Sequence, residues 1–170
     1  MSEILPQKLY LGSLDDAINT DWIKDNNIKD VVSIISGIDT DELTNILEKI
    51  NVKHHIFNIL DMSDQNISEL FKVIFDIIDN SQSVLVHCFM GVSRSATIIL
   101  AYLMYSKKMY LDNAIIFVLK SRLCIFPNDG FIIQLLEFEY KLFGTRSFLP
   151  NKDGIRKFKS LIHSYKPIDT

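Results

Sequence analysis

The chain has 170 residues, 48% of them hydrophobic and 23% charged, with a formal net charge of -3. That length and balance describe one soluble domain with a full core, and the slightly acidic total supplies no field of the kind that attracts nucleic acid. Two cysteines are too few for a disulfide framework or an all-cysteine zinc site, so a reducing compartment is expected.

In chain order, KLYLG (8–12) reads as a short strand closed by Gly12. Ser13 or Asp15 is placed to cap a helix over 16–25, with Ala17, Ile18 and Trp22 at helical spacing. VVSII (31–35) is a continuous β-branched run, the pattern of a strand covered on both faces. A helix over 39–50 follows, with Thr40 or Asp41 as cap and Leu43, Ile46, Leu47 and Ile50 inward. HHIFNIL (54–60) is a third strand, and 68–79 a helix with Leu70, Phe71, Ile74, Phe75 and Ile78 on one face. SVLVH (83–87) is the most apolar strand, and three helices are predicted over 94–106, 111–122 and 129–143.

Strands alternating with helices predict an α/β domain: a central, largely parallel twisted sheet of about four to five strands flanked by helices. Ligands bind such sheets at the carboxyl ends of their strands. There the stretch VLVHCFMGVSRSAT breaks abruptly from an apolar strand into His87-Cys88, then Phe89, Met90, Gly91, Val92, Ser93, Arg94 and Ser95, and resumes as a helix. A strand, a glycine-containing loop and a helix N-terminus make an anion cradle, since the first amides of a helix lack intrahelical partners. Arg94 adds a planar fork that holds two phosphate oxygens. The same amides stabilise a thiolate at Cys88, which makes it an in-line nucleophile towards a phosphorus atom held in the cup.

HCFMGVSRSAT resembles the signature loop of cysteine-dependent protein phosphatases, in the form used by dual-specificity phosphatases. LPQKLYLGS, IKDVVSI and FPNDGFIIQLLEFE are similar to other segments of that family in the same order, so the likeness covers residues 4–143. The resemblance implies a small catalytic domain (1–143) without an N-terminal docking module, and a phosphocysteine mechanism needing neither metal nor cofactor. Cys88 is then the nucleophile, Arg94 and the backbone of Phe89, Met90, Gly91, Val92 and Ser93 hold phosphate, and Ser95 donates to the cysteine sulfur. His87 supports the thiolate. The general acid occupies the family's position at Asp61; Asp64, three residues on, is its rival, and Ser63, Asp64 and Asn66 are also candidate helix caps. Asn128 matches a family position that buttresses the pocket, and it is equally a cap for the helix after Pro127.

The implied substrates are phosphotyrosine and phosphoserine or phosphothreonine in a phosphoprotein, taken up in a shallow pocket. Neither Phe89 nor Met90 is basic, which disfavours phosphoinositides; nonprotein esters such as RNA ends or glycans stay open. A binding module without turnover is disfavoured because Cys88, Arg94 and a carboxylate at 61 are all present. Gly91 and the Arg94-Ser95 pair argue against a sulfurtransferase. His54 and His55, adjacent on a strand, point to opposite faces and do not make a metal site. Cys124 is expected to be buried.

Residues 144–170 lie outside the resemblance. They carry six Lys or Arg against two Asp, and Ile155, Phe158, Ile162 and Tyr165 recur at helical spacing. A short basic amphipathic helix packed on the domain is expected, with docking of an acidic partner or a membrane surface as the other reading. MSEILPQKLY lacks the pattern of a signal peptide, Ser2 stands where N-myristoylation needs glycine, and no apolar run suits a membrane span. A cytoplasmic, or also nuclear, location is expected.

Overall fold

The structure is a computed structural model and describes residues 1–166. Five strands, β1 (Ser2–Leu5), β2 (Leu9–Gly12), β3 (Asp30–Ile34), β4 (Lys53–Phe57) and β5 (Val84–His87), form one sheet in the order β1-β2-β5-β3-β4. Only the β1–β2 pair is antiparallel. The helices are α1 (Leu14–Ala17), α2 (Thr20–Asp25), α3 (Asp41–Lys49), α4 (Phe71–Asn80), α5 (Arg94–Lys107), α6 (Leu111–Leu119), α7 (Asp129–Phe143) and α8 (Lys152–Ser164).

The sheet is covered on both faces, and side-chain alternation divides its residues between two cores. Leu9, Leu11, Val32, Ile34, Val84 and Val86 join the larger core under α4 to α8. Tyr10, Val31 and Leu85 face the smaller core with Ala17 of α1, Ile23 of α2 and Leu43 and Leu47 of α3. β5 lies between β2 and β3, and α5, buried from Arg94 through Met104, packs behind it. The Cys88–Ser93 loop therefore leaves the best-supported strand and enters the best-buried helix.

Four predicted elements differ; the strand over 54–60 is β4, Lys53–Phe57, and ends three residues early. The helix over 16–25 is two helices, because Ser13 closes a capping box with Asp16 and Asn19 accepts from the amide of Trp22, starting α2 afresh. The helix over 68–79 begins as a 3-10 turn at Ile67–Leu70, and α6 stops at Leu119, short of 122. β1 carries little strand signal; its pairing with β2, through an irregular register between Glu3 and Leu5, makes it a strand.

Beyond the C-cap Gly144 the chain packs back onto the domain. Glu139 of α7 is fully buried, and its carboxylate accepts from the amide of Leu111 at 2.7 Å and from the amide and hydroxyl of Ser147 at 2.7 and 2.6 Å. It thus caps α6 and pins the connector to α8. Asn151 caps α8 by accepting from the amide of Gly154, and Phe158 is buried in the larger core with Ile155, Leu161, Ile162 and Tyr165 packed beside it. Lys159 of its basic face pairs with Asp129, and Arg156 and Lys157 pair with Asp153. Among the described residues no helix is long and apolar enough to cross a membrane. Truncating a buried Phe costs about 3–5 kcal/mol, so Phe158→Ala is expected to lower the urea midpoint sharply; an unchanged midpoint would show that α8 adds nothing to the fold.

Candidate active site

The Cys88–Ser93 loop is held by its carbonyls. The amide of Leu14 donates to the Phe89 carbonyl at 3.0 Å, and the amide of Phe126 donates to that of Val92 at 2.7 Å. Arg122 donates from Nε to the Gly91 carbonyl at 2.9 Å and from Nη2 to that of Met90 at 3.2 Å. The His87 ring lies with Nδ1 3.2 Å from the carbonyl of Cys88. Five consecutive carbonyls are thus engaged by groups outside the loop. In a planar trans peptide the next N–H points opposite the carbonyl, so the amides of residues 89–93 turn into the cup. Gly91 is required: its φ is +69°, and a Cβ there would lie 2.4 Å from both the Arg122 side chain and the Gly12 carbonyl.

Cys88 is 2% exposed at the floor of this cup, and the Ser95 hydroxyl donates to its Sγ at 3.1 Å. Arg94 is largely buried, and its Nη1 donates to the carbonyl of Ile59 at 3.1 Å. Its buried Nε makes no hydrogen bond among the described residues. A donor left so costs free energy in a closed interior; beside the cup it can donate to an anion bound there.

Asp61 reaches the same mouth from the loop after β4. Its Oδ1 accepts from the Ser93 hydroxyl at 2.7 Å and from Asn128 Nδ2 at 2.8 Å, while Oδ2 lies 3.9 Å from Arg94 Nε. Asp64 is exposed. Both readings of Asn128 hold at once: its Oδ1 accepts from the amide of Phe131 at 3.0 Å, capping α7, while its Nδ2 binds Asp61. Gly130 lets α7 approach that loop, since a Cβ there would lie 1.9 Å from the Ser63 carbonyl.

The structure therefore brings together Cys88, Arg94, Ser95, Asp61, Asn128 and the loop backbone. Ser93, expected to contribute mainly its amide, also uses its hydroxyl, donating to Asp61 and accepting from the amide of Asn128 at 3.2 Å. Arg122 carried no signal in the sequence beyond its place in SRLCIFPN. Cys124, expected to be buried, is exposed. Its loop commits Arg122 and the Phe126 amide to the cup and turns neighbouring side chains, Leu123 among them, to solvent.

His87 is fully buried and neutral near pH 7, because burial lowers its pKa to about 4. An apolar groove of about 450 Å³ between α4 and α7, lined by Phe71, Phe75, Tyr105 and Phe138, contains none of these residues.

Residues 9–141 match the family model described as the dual specificity phosphatase catalytic domain. The chain is 36% identical over 149 residues to dual specificity protein phosphatase 1B of Arabidopsis thaliana, covering 85% of each protein. It is equally 36% identical over 143 residues to MAP kinase phosphatase with leucine-rich repeats protein 1 of Dictyostelium discoideum; that match takes in 82% of this chain and spans only 16% of the relative's length. Among solved structures, the human tyrosine phosphatase-like serine/threonine/tyrosine-interacting protein superposes with a TM-score of 0.75 at 31% identity, over 83% of this chain and 96% of that one. The cup, its residues and these matches agree: the chain belongs to the dual-specificity phosphatase family.

Proposed function

We propose that this chain hydrolyses phosphotyrosine and phosphoserine or phosphothreonine in protein substrates through a phosphocysteine on Cys88. The observation that carries the reading is the shared mouth of Cys88, Arg94 and Asp61, with a buried Arg94 donor aimed at it and Ser95 on the sulfur.

Inward amides and the Arg94 fork hold the three peripheral phosphate oxygens as charge spreads over them. The Cys88 thiolate attacks phosphorus; the S–P bond forms as the P–O bond to the substrate breaks. Asp61 gives its proton to the departing alkoxide or phenoxide. Two donors already occupy its Oδ1, so Oδ2, on the Arg94 side, is the oxygen free to carry that proton. Water then attacks the phosphocysteine, Asp61 takes its proton, and the S–P bond breaks. The Ser95 hydroxyl stabilises the thiolate as it leaves. Phe89 and Met90, 54% and 68% exposed, give the rim apolar rather than cationic contacts, which supports a protein over a phosphoinositide substrate.

Cys88→Ser is expected to keep phosphopeptide binding and abolish turnover; persistent turnover would overturn the mechanism. Turnover of an aryl phosphate by the unaltered chain should survive EDTA and be inhibited by vanadate. Its absence from the unaltered chain would instead favour a phosphoprotein-binding role. Asp61→Asn should cost about 100-fold or more in kcat on an alkyl phosphate and much less on an activated aryl phosphate; the same pattern from Asp64→Asn alone would move the acid to position 64. Arg122→Gln removes two hydrogen bonds worth about 1 kcal/mol each, so kcat/KM should fall by about 30-fold. An unaffected kcat/KM would deny Arg122 its hold on the loop.

A further inference from the structure

On the α3 face of the sheet, a line of polar side chains runs from the half-buried surface to the carbonyl of Cys88. Thr44 Oγ1 of α3 is 2.9 Å from the carbonyl of Thr40 and 2.7 Å from His54 Nδ1. His54 Nε2 is 2.7 Å from the hydroxyl of Ser33, and that hydroxyl also contacts His87 Nε2. His87 Nδ1 then meets the Cys88 carbonyl at 3.2 Å. Ser33 and His54 belong to β3 and β4, two strands from which the proposed mechanism takes no residue.

Counting protons determines the direction of this line. It has five contacts and ends on a carbonyl at each side, and a carbonyl only accepts. Burial holds both imidazoles neutral near pH 7, with pKa values lowered to about 4. The two hydroxyls and two neutral rings then supply four protons, so one contact must lack a donor. The Thr40 carbonyl already accepts the amide of Thr44 at 2.9 Å and needs no hydroxyl. The arrangement that leaves no group unpaired is therefore one-way. Thr44 Oγ1 donates to His54 Nδ1, His54 Nε2 to Ser33, Ser33 to His87 Nε2, and His87 Nδ1 to Cys88.

We propose that His54 is a positioning residue for this site: through Ser33 it holds His87 as the Nδ1–H tautomer, whose hydrogen bond to the Cys88 carbonyl aims the Phe89 amide at the thiolate. Each bond in the line polarises the next. Without the His54 donor nothing fixes the Ser33 proton on the His87 side; the hydroxyl can accept from His87 Nε2, and in the molecules where it does the proton leaves Nδ1. The Cys88 carbonyl then loses its partner, and the first peptide of the cup is released. A second proton on His54 is also accommodated, because Thr44 then accepts at His54 and donates to Thr40. The charged and titratable groups beside the rings are Asp16, Arg94 and His54 for His87, and His55 for His54. His55 is on the opposite face and is engaged by Asp30 at 2.7 Å.

The inference rests on the reading of Cys88 as nucleophile, and two measurements separate them. Imidazole ¹⁵N spectra of the full chain report tautomers without any turnover. Inactivation of a Cys124→Ser background by iodoacetate reports Cys88 reactivity without substrate. Wild type is expected to show His87 as Nδ1–H. His54→Phe should mix the tautomers and slow inactivation by roughly 3- to 10-fold near pH 5.5, the size of one lost hydrogen bond. His54→Gln, whose amide can donate to Ser33, should restore both readouts, and His55→Gln should alter neither. His54→Leu, which also cannot donate to Ser33, should reproduce His54→Phe, so the test survives if the Phe variant does not fold. An Nε2–H tautomer at His87 in wild type would overturn the proposal, as would an Nδ1–H signal and inactivation profile unaltered by both His54→Phe and His54→Leu. Turnover surviving Cys88→Ser would overturn the catalytic reading and leave the tautomer result standing.

Discussion

Five consecutive peptide carbonyls, from Cys88 to Val92, are each drawn away from the centre of one loop, and the candidate site depends on that outward hold. A peptide plane turned by its carbonyl presents its amide to the other side. The cup is therefore built as much by what grips it from outside as by the residues that line it. Left alone, a loop of six residues with one glycine has many conformations, and ordering each residue costs roughly 1–2 kcal/mol. Here the cost is met by anchors already fixed in the fold: an amide at the start of α1, an arginine beyond α6, an amide before α7 and a buried imidazole on β5.

Those anchors explain why the flanking layers matter to a site that occupies one end of one strand. β5 sits between β2 and β3, so the carboxyl end of β2 brings Gly12 beneath Gly91 and the start of α1 beside Phe89. The Arg122–Asn128 loop reaches the cup from the other side and uses backbone, guanidinium and amide together. Asn128 ties the N-terminus of α7 to Asp61, and Gly130 gives the two segments room to meet. Orientation of the carboxylate is thus a property of helix packing, not of the loop that carries it alone.

The legible part of the site was the part that is local in sequence. Cys88, Gly91, Arg94 and Ser95 fall within one strand–loop–helix unit whose geometry follows from an apolar run, a glycine and a helix start. The alternation of strands and helices was readable for the same reason, since hydrophobic period reports burial directly. Misreadings occurred where a local rule competed with a second one or with a distant partner. Asn19 divided an otherwise periodic helix, and β1 became a strand only on meeting β2. Cys124 followed the general tendency of free cysteines to be buried, but its loop had spent its inward positions on the cup.

By itself, then, the sequence determined the layered fold and the strand–loop–helix unit that carries Cys88, Gly91, Arg94 and Ser95, because each is encoded by neighbours within a few positions. Tertiary structure decided which carboxylate faces that arginine, gave the Ser93 hydroxyl its partner, recruited Arg122 as a clamp and lined up Thr44, His54 and Ser33 behind His87. Those groups lie 10 to 54 residues along the chain from the atoms they contact. No spacing along the chain records such contacts, because they exist only where the sheet order and helix packing bring distant segments within hydrogen-bonding range.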